Sequence, residues 1–163
     1  IRTVIEEVLR QDVQVIILGK GDSSYENFFT DLSRRYVGKL VTIVAFNPDL
    51  SRKIYSGADL FLMPSKSEPC GLSQMIASRY GTVPIVRETG GLYDSIKPVG
   101  NGGNGFTFAN YNAYDMLYVI REAINCYYNK DFWPELMRRV MSVDFSWQRS
   151  AKEYEKVYGE MLK

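Results

Sequence analysis

Along most of the chain, short apolar runs alternate with longer stretches in which apolar and polar positions recur at helical spacing. The runs VQVIIL (13–18), VTIVA (41–45), LFLM (60–63), VPIV (83–86) and FTF (106–108) are rich in β-branched residues and lack strict polar alternation. That is the pattern of strands buried on both faces, and it predicts a parallel sheet. Helical periodicity near 24–36, 49–56, 72–80 and 112–128 sets up a strand–helix–strand rhythm with right-handed crossovers. The expected fold is α/β, a Rossmann-like doubly wound parallel sheet with helices on both faces.

Turn chemistry supports these boundaries. Asp22-Ser23-Ser24, Asp49 and Asn112 are placed to cap the helices they open, and Gly38 and Gly81 follow helical segments as closing residues do. Segments 131–140 and 145–162 predict two further helices, the first with Pro134 in its opening turn, where a missing N–H costs little. On the second, the stripe of Trp147, Tyr154, Val157 and Tyr158 predicts a face turned to the core. The chain opens on IRTVIEEVLRQ (1–11), already helical in pattern, whereas a doubly wound unit begins with a strand and its loop. A first strand and loop are therefore expected in a segment ahead of Ile1. Residues 1–163 read as one domain.

Composition narrows the chemistry. A net charge of +1 offers no field to gather nucleic acid, and no apolar run approaches the roughly 20 residues of a membrane span. A soluble, intracellular protein with neither partner is expected. Without histidine, His-based triads and the common zinc sites are excluded. Cys70 and Cys126 match no metal spacing, so no metal is expected.

In open α/β sheets, ligands bind beyond the carboxyl ends of the strands. That selects the loops at 19–23, 46–49, 64–72, 87–94 and 100–105. GKGDS (19–23) lacks both phosphate-loop spacings and reads first as a plain turn. SEPCGLSQM (67–75) is richer: the first amides of a helix starting near Gly71-Leu72-Ser73 lack intrahelical partners and favour a phosphate. Gly71 would let the backbone come close to it, and Glu68, on the preceding turn, could accept hydrogen bonds from sugar hydroxyls. A sugar phosphate suits the pair better than a bare anion. The plainer alternative makes Glu68 a surface carboxylate and Ser73 an ordinary helix cap. Gly90-Gly91, in RETGGLYDS (87–95), offers a second pair of N–H groups on the same edge, or simply a turn.

Taken together, DLFLMPSKSEPCGLSQMIASRYGTVPIVRETGGLYDSI (59–96) resembles the donor-binding C-terminal half of bacterial glycogen synthases and plant starch synthases. These are retaining glucosyltransferases of the two-domain GT-B type. The resemblance extends more weakly through N-G-F (104–106) to F-S-W (145–147). It implies that Glu68 is the essential carboxylate holding the donor glucose, with backbone groups of Cys70, Gly71 and Leu72 around the same sugar. Leu72 and Ser73 become the distal phosphate cradle, and Thr89, Gly90 and Gly91 line the cleft. Phe46 falls where the family often has a base-stacking tyrosine; a core or interdomain aromatic is its alternative role. The implied donor is ADP-glucose or UDP-glucose, and the implied acceptor an α-1,4-glucan bound through an N-terminal domain outside this sequence. No metal or other cofactor is implied. A cytoplasmic location follows, or a plastid if the source is a plant.

The departures are specific. Eight residues after Glu68, where many GT-B enzymes carry a second glutamate, this chain has Ile76. The family's diphosphate-neutralising arginine and lysine lie upstream of the first helix here. The isolated chain is therefore expected to be inactive. Two rival functions come from other classes: a nucleotide-binding module without catalysis, and an NAD-dependent oxidoreductase domain, which the fold alone permits.

Overall fold

The structure of the chain, a computed structural model, describes residues 1–162. The order is α1 (Ile5–Leu9), β1 (Val15–Leu18), α2 (Ser23–Arg35), β2 (Leu40–Ile43), α3 (Pro48–Gly57), β3 (Leu60–Met63) and α4 (Ser73–Tyr80). It continues with β4 (Val83–Arg87), α5 (Gly91–Ser95), a 3-10 turn (Val99–Asn101), β5 (Phe106–Phe108), α6 (Ala113–Tyr127), α7 (Phe132–Ser142) and α8 (Trp147–Met161). Every apolar run noted above carries a strand. All pairings are parallel, as continuous apolar strands require: Val15↔Leu40 to Leu18↔Ile43, Leu60↔Val83 to Met63↔Val86, and Ile85↔Phe106 onward.

Among the described residues the sheet forms two ladders, β1–β2 and β3–β4–β5, with no hydrogen bonds joining them. One core nevertheless underlies both. Val4, Ile5, Val8 and Leu9 from the α1 region meet Phe29 and Leu32 of α2, Val83 and Ile85 of β4, Leu117 and Ile120 of α6, and Leu136 and Val140 of α7. The opposite face of β4 packs Val86 against Leu92 and Ile96, with Met63 alongside. The central strand is thus covered on both sides, and each fully buried Leu or Ile contributes about 1.5–3 kcal/mol.

Local chemistry sets most boundaries as expected. Asp22 accepts the Ser24 amide at 2.8 Å, and Asn112 accepts those of Tyr114 at 2.7 Å and Asp115 at 3.3 Å. Gly81 closes α4 at φ 85°, while α2 already ends at Tyr36, leaving Gly38 (φ 80°) in the turn beyond. The cap of α3 is not Asp49 but Asn47, which accepts the Leu50 amide at 3.0 Å. Pro48, lacking an N–H, is suited to the first helical position, and this moves the start upstream. The second correction is α8: its stripe faces away from the core. Trp147 is 86% exposed and Tyr154, Val157 and Tyr158 are at least half exposed. The helix has no buried residue, and among the described residues none covers the stripe.

Candidate functional site

Because β3 and β4 are neighbours in register, the loops at their carboxyl ends lie side by side. The first runs from Pro64 to Leu72 and the second from Glu88 to Gly90. Contact between them is backbone to backbone. The Gly91 N–H donates to the Glu68 carbonyl at 3.1 Å. A Cβ on Gly91 would stand 2.0 Å from the Cys70 carbonyl oxygen, and one on Gly90 2.1 Å from that of Glu68. Gly90 also has φ +47°, in the region that favours glycine. The glycine pair is what lets the second loop seat on the first. Of the two N–H groups expected to be offered there, Gly91's is therefore committed to protein. Gly90's has no acceptor among the described residues.

The start of α4 is open. Leu72 occupies the cap position with no side-chain oxygen to offer, and no side-chain cap is made. Among the described hydrogen bonds, none takes up the amides of Leu72, Ser73, Gln74 or Met75. Ser73 is the first helical residue rather than the cap. Four free donors at the positive end of a helix are a ready site for an anionic oxygen. Gly71, at φ +75°, turns the chain into this helix, while Leu72 and Cys70 are exposed beside it.

Glu68 is half-buried on the same loop. Its carboxylate has one described hydrogen bond, a long 3.4 Å one from the Ser65 hydroxyl, and none of the described ion pairs involves it. The carboxylate thus keeps its acceptor capacity for a ligand. Arg87 holds the front of the loop, donating from Nη1 to the carbonyls of Lys66 at 2.8 Å and Ser65 at 3.5 Å, with Tyr111 against its guanidinium. Thr89 is half-buried at the second loop, where its carbonyl accepts the Leu92 amide. Phe46 stands in the loop after β2, 88% exposed and free to present a ring face.

Sequence reasoning passed over Gln74, Ser95 and Arg87. Gln74 is fully buried, and its side chain reaches Cys70, Gly71 and Ser95. A signal for it existed: Gln74, Ala77, Ser78 and Gly81 form the inward face of α4, so one large polar side chain sits among small residues. In the GKGDS loop, by contrast, the described amides are taken up by protein: Gly19 donates to the Ile43 carbonyl at 3.1 Å. The Gly21 amide is taken by Glu26 at 2.8 Å and the Ser24 amide by Asp22.

A parallel α/β sheet flanked by helices, with an open helix start at its strand ends, defines the Rossmann-like class of fold. Residues 3–138 match the family "Glycosyl transferases group 1", and the chain belongs to that family. It is 48% identical, over 99% of its length, to the glycogen synthase of Bacillus cereus strain Q1, of which it spans 35%. To that of Geobacillus thermodenitrificans it is 49% identical over 98% of its length, spanning 34% of the relative. The solved catalytic domain of starch synthase IV from Arabidopsis thaliana, bound to ADP and acarbose, superposes with a TM-score of 0.87 at 35% identity. The match covers 98% of this chain and 34% of that one. Sucrose-phosphate synthase from Thermosynechococcus elongatus, at 19% identity and a TM-score of 0.68, shares the fold alone. The fold is one half of the GT-B arrangement, and the chain spans about a third of the length of these relatives.

Proposed function

We propose that this chain is the donor-binding half of a retaining glucosyltransferase of the glycogen and starch synthase type. The longer enzyme transfers glucose from ADP-glucose, with UDP-glucose the other candidate, to the non-reducing end of an α-1,4-glucan in the cytoplasm. The observation that carries this reading is the uncapped start of α4 beside Glu68. Free amides at Leu72–Met75 receive the distal phosphate, and an unpaired carboxylate one turn earlier holds the hexose hydroxyls.

When the bond from the anomeric carbon to the diphosphate oxygen breaks, negative charge grows on the leaving group. Preorganised amides at a helix start stabilise that charge more than the substrate's, lowering the barrier without need of a bound metal. Backbone groups of Cys70, Gly71 and Leu72 surround the sugar, Thr89 and Gly90 close the far side, and Phe46 stacks on the base. The acceptor and the cations that neutralise the diphosphate come from the rest of the enzyme, so the isolated chain binds donor weakly and does not extend glucan.

Calorimetric titration of the purified chain with ADP-glucose, ADP and NAD tests the reading: binding of the first two, undiminished by EDTA, is expected. Tighter binding of NAD would overturn it. In the intact enzyme, Glu68→Ala should remove nearly all turnover; a rate within about threefold of wild type would point to a module without catalysis.

A further inference from the structure

Gln74 is 0% exposed, and a buried carboxamide costs stability unless its polar atoms are paired. Its Nε2 donates to the Gly71 carbonyl at 2.9 Å, to Ser95 Oγ at 3.1 Å and, at longer range, to the Cys70 carbonyl at 3.3 Å. Ser95 Oγ in turn donates to the Gly91 carbonyl at 2.6 Å, and the Gly91 amide donates to the Glu68 carbonyl at 3.1 Å. The hydrogen bonds therefore run in one direction from Gln74 through α5 and back to the residue that carries the carboxylate. Flipping the amide would turn its oxygen toward two carbonyls and a hydroxyl whose proton is already committed, so the orientation is determined. Oε1, also buried, has no hydrogen-bond partner among the described residues, and a Cβ on Gly71 would stand 2.6 Å from it.

Resting on the donor-site reading above, we infer that Gln74 is a positioning residue for the nucleotide-sugar site. It ties the Cys70–Gly71 turn to Ser95, and so sets where Glu68 and the free amides of α4 stand relative to one another. An apolar residue of similar size would fill the same space without burying a carboxamide. What the apolar residue cannot do is hold the two loops in register. Ser95 is the partner through which the tie reaches Gly91, and its effect runs through the same chain of bonds.

The test uses ADP as the probe, with wild type, Gln74→Met and Ser95→Ala. Affinity is read by titration, and the amide signals of Leu72, Ser73 and Gly91 are followed by NMR with hydrogen exchange. Gln74→Met should lower ADP affinity by about tenfold or more. In that variant the Gly91 amide should exchange faster in the unliganded chain, and ADP should no longer shift the Leu72 and Ser73 signals as in wild type. Ser95→Ala should give a smaller loss in the same direction, and the double variant should lose little beyond Gln74→Met. If Gln74→Met fails to fold, Ser95→Ala and its amide signals decide. Wild-type affinity and wild-type amide shifts in the folded variants would overturn the role of Gln74 and leave the donor site standing. A wild-type chain that binds no ADP at millimolar concentration would overturn both.

Discussion

At the level of single residues, Gly90 and Gly91 carry the tightest steric constraint in the site, because the opposing atoms are backbone carbonyls that cannot rotate away. Gly91→Ala should destabilise the chain by about 2 kcal/mol, the usual scale of overpacking. For a domain of this size that is a fall of about 4–8 °C in Tm, measured by calorimetry. Glu68 lies at the other extreme. Its carboxylate makes one long hydrogen bond and no described ion pair, so Glu68→Ala should move the Tm of the chain by less than about 2 °C. Lost turnover in the intact enzyme could then be assigned to chemistry rather than to unfolding. The close approach that demands both glycines was not legible in RETGGLYDS, since the opposing carbonyls belong to residues more than twenty positions upstream.

Among the elements, the starts of α2 and α8 carry carboxylates whose titration is tied to a helix cap. Hydrogen bonds from Ser24 hold the Asp22 carboxyl below the ordinary aspartate value at the start of α2. A folded-state pKa lowered in this way adds stability above the unfolded value of about 3.9 and loses it as pH falls through the folded value. Acidification through that range should fray the first turn of α2, seen as loss of helical circular dichroism. Asp22→Asn, which caps without titrating, should flatten that loss. The Asp144 carboxyl is lowered in the same sense by Ser146 ahead of α8. The helix α8 contributes nothing buried, so Tyr154→Ser and Val157→Ser should leave Tm within about 1 °C of wild type. Its stripe was readable as amphipathic, but the direction it faces was not. Helical periodicity specifies that an apolar face exists, not what covers it.

Across the whole molecule, the two ladders predict uneven stability. Among the described residues, β4 is bonded on both edges and buried on both faces, whereas β1 and β2 pair with each other alone. Amides of Ile85 and Val86 should exchange only through global unfolding, and those of β1 and β2 through a lower-energy opening. Equal protection of the two ladders would contradict this. Removing Leu136, fully buried between α7 and the sheet, should cost about 2–5 kcal/mol as Leu136→Ala, weakening both ladders because one core supports them.

The short helix α5 (Gly91–Ser95) was not legible in the pattern, but sequence alone determined the strands, the longer helices, their order and the parallel pairing. These follow from periodicity, β-branching and turn residues, all set by neighbours along the chain. Tertiary structure decided which donors are free and which are committed. Gly91's amide went to Glu68, the α4 amides stayed open, and Gln74 met Ser95 across 21 positions. Those outcomes depend on groups that only folding brings within about 3 Å, where hydrogen bonds and carbonyl clashes act.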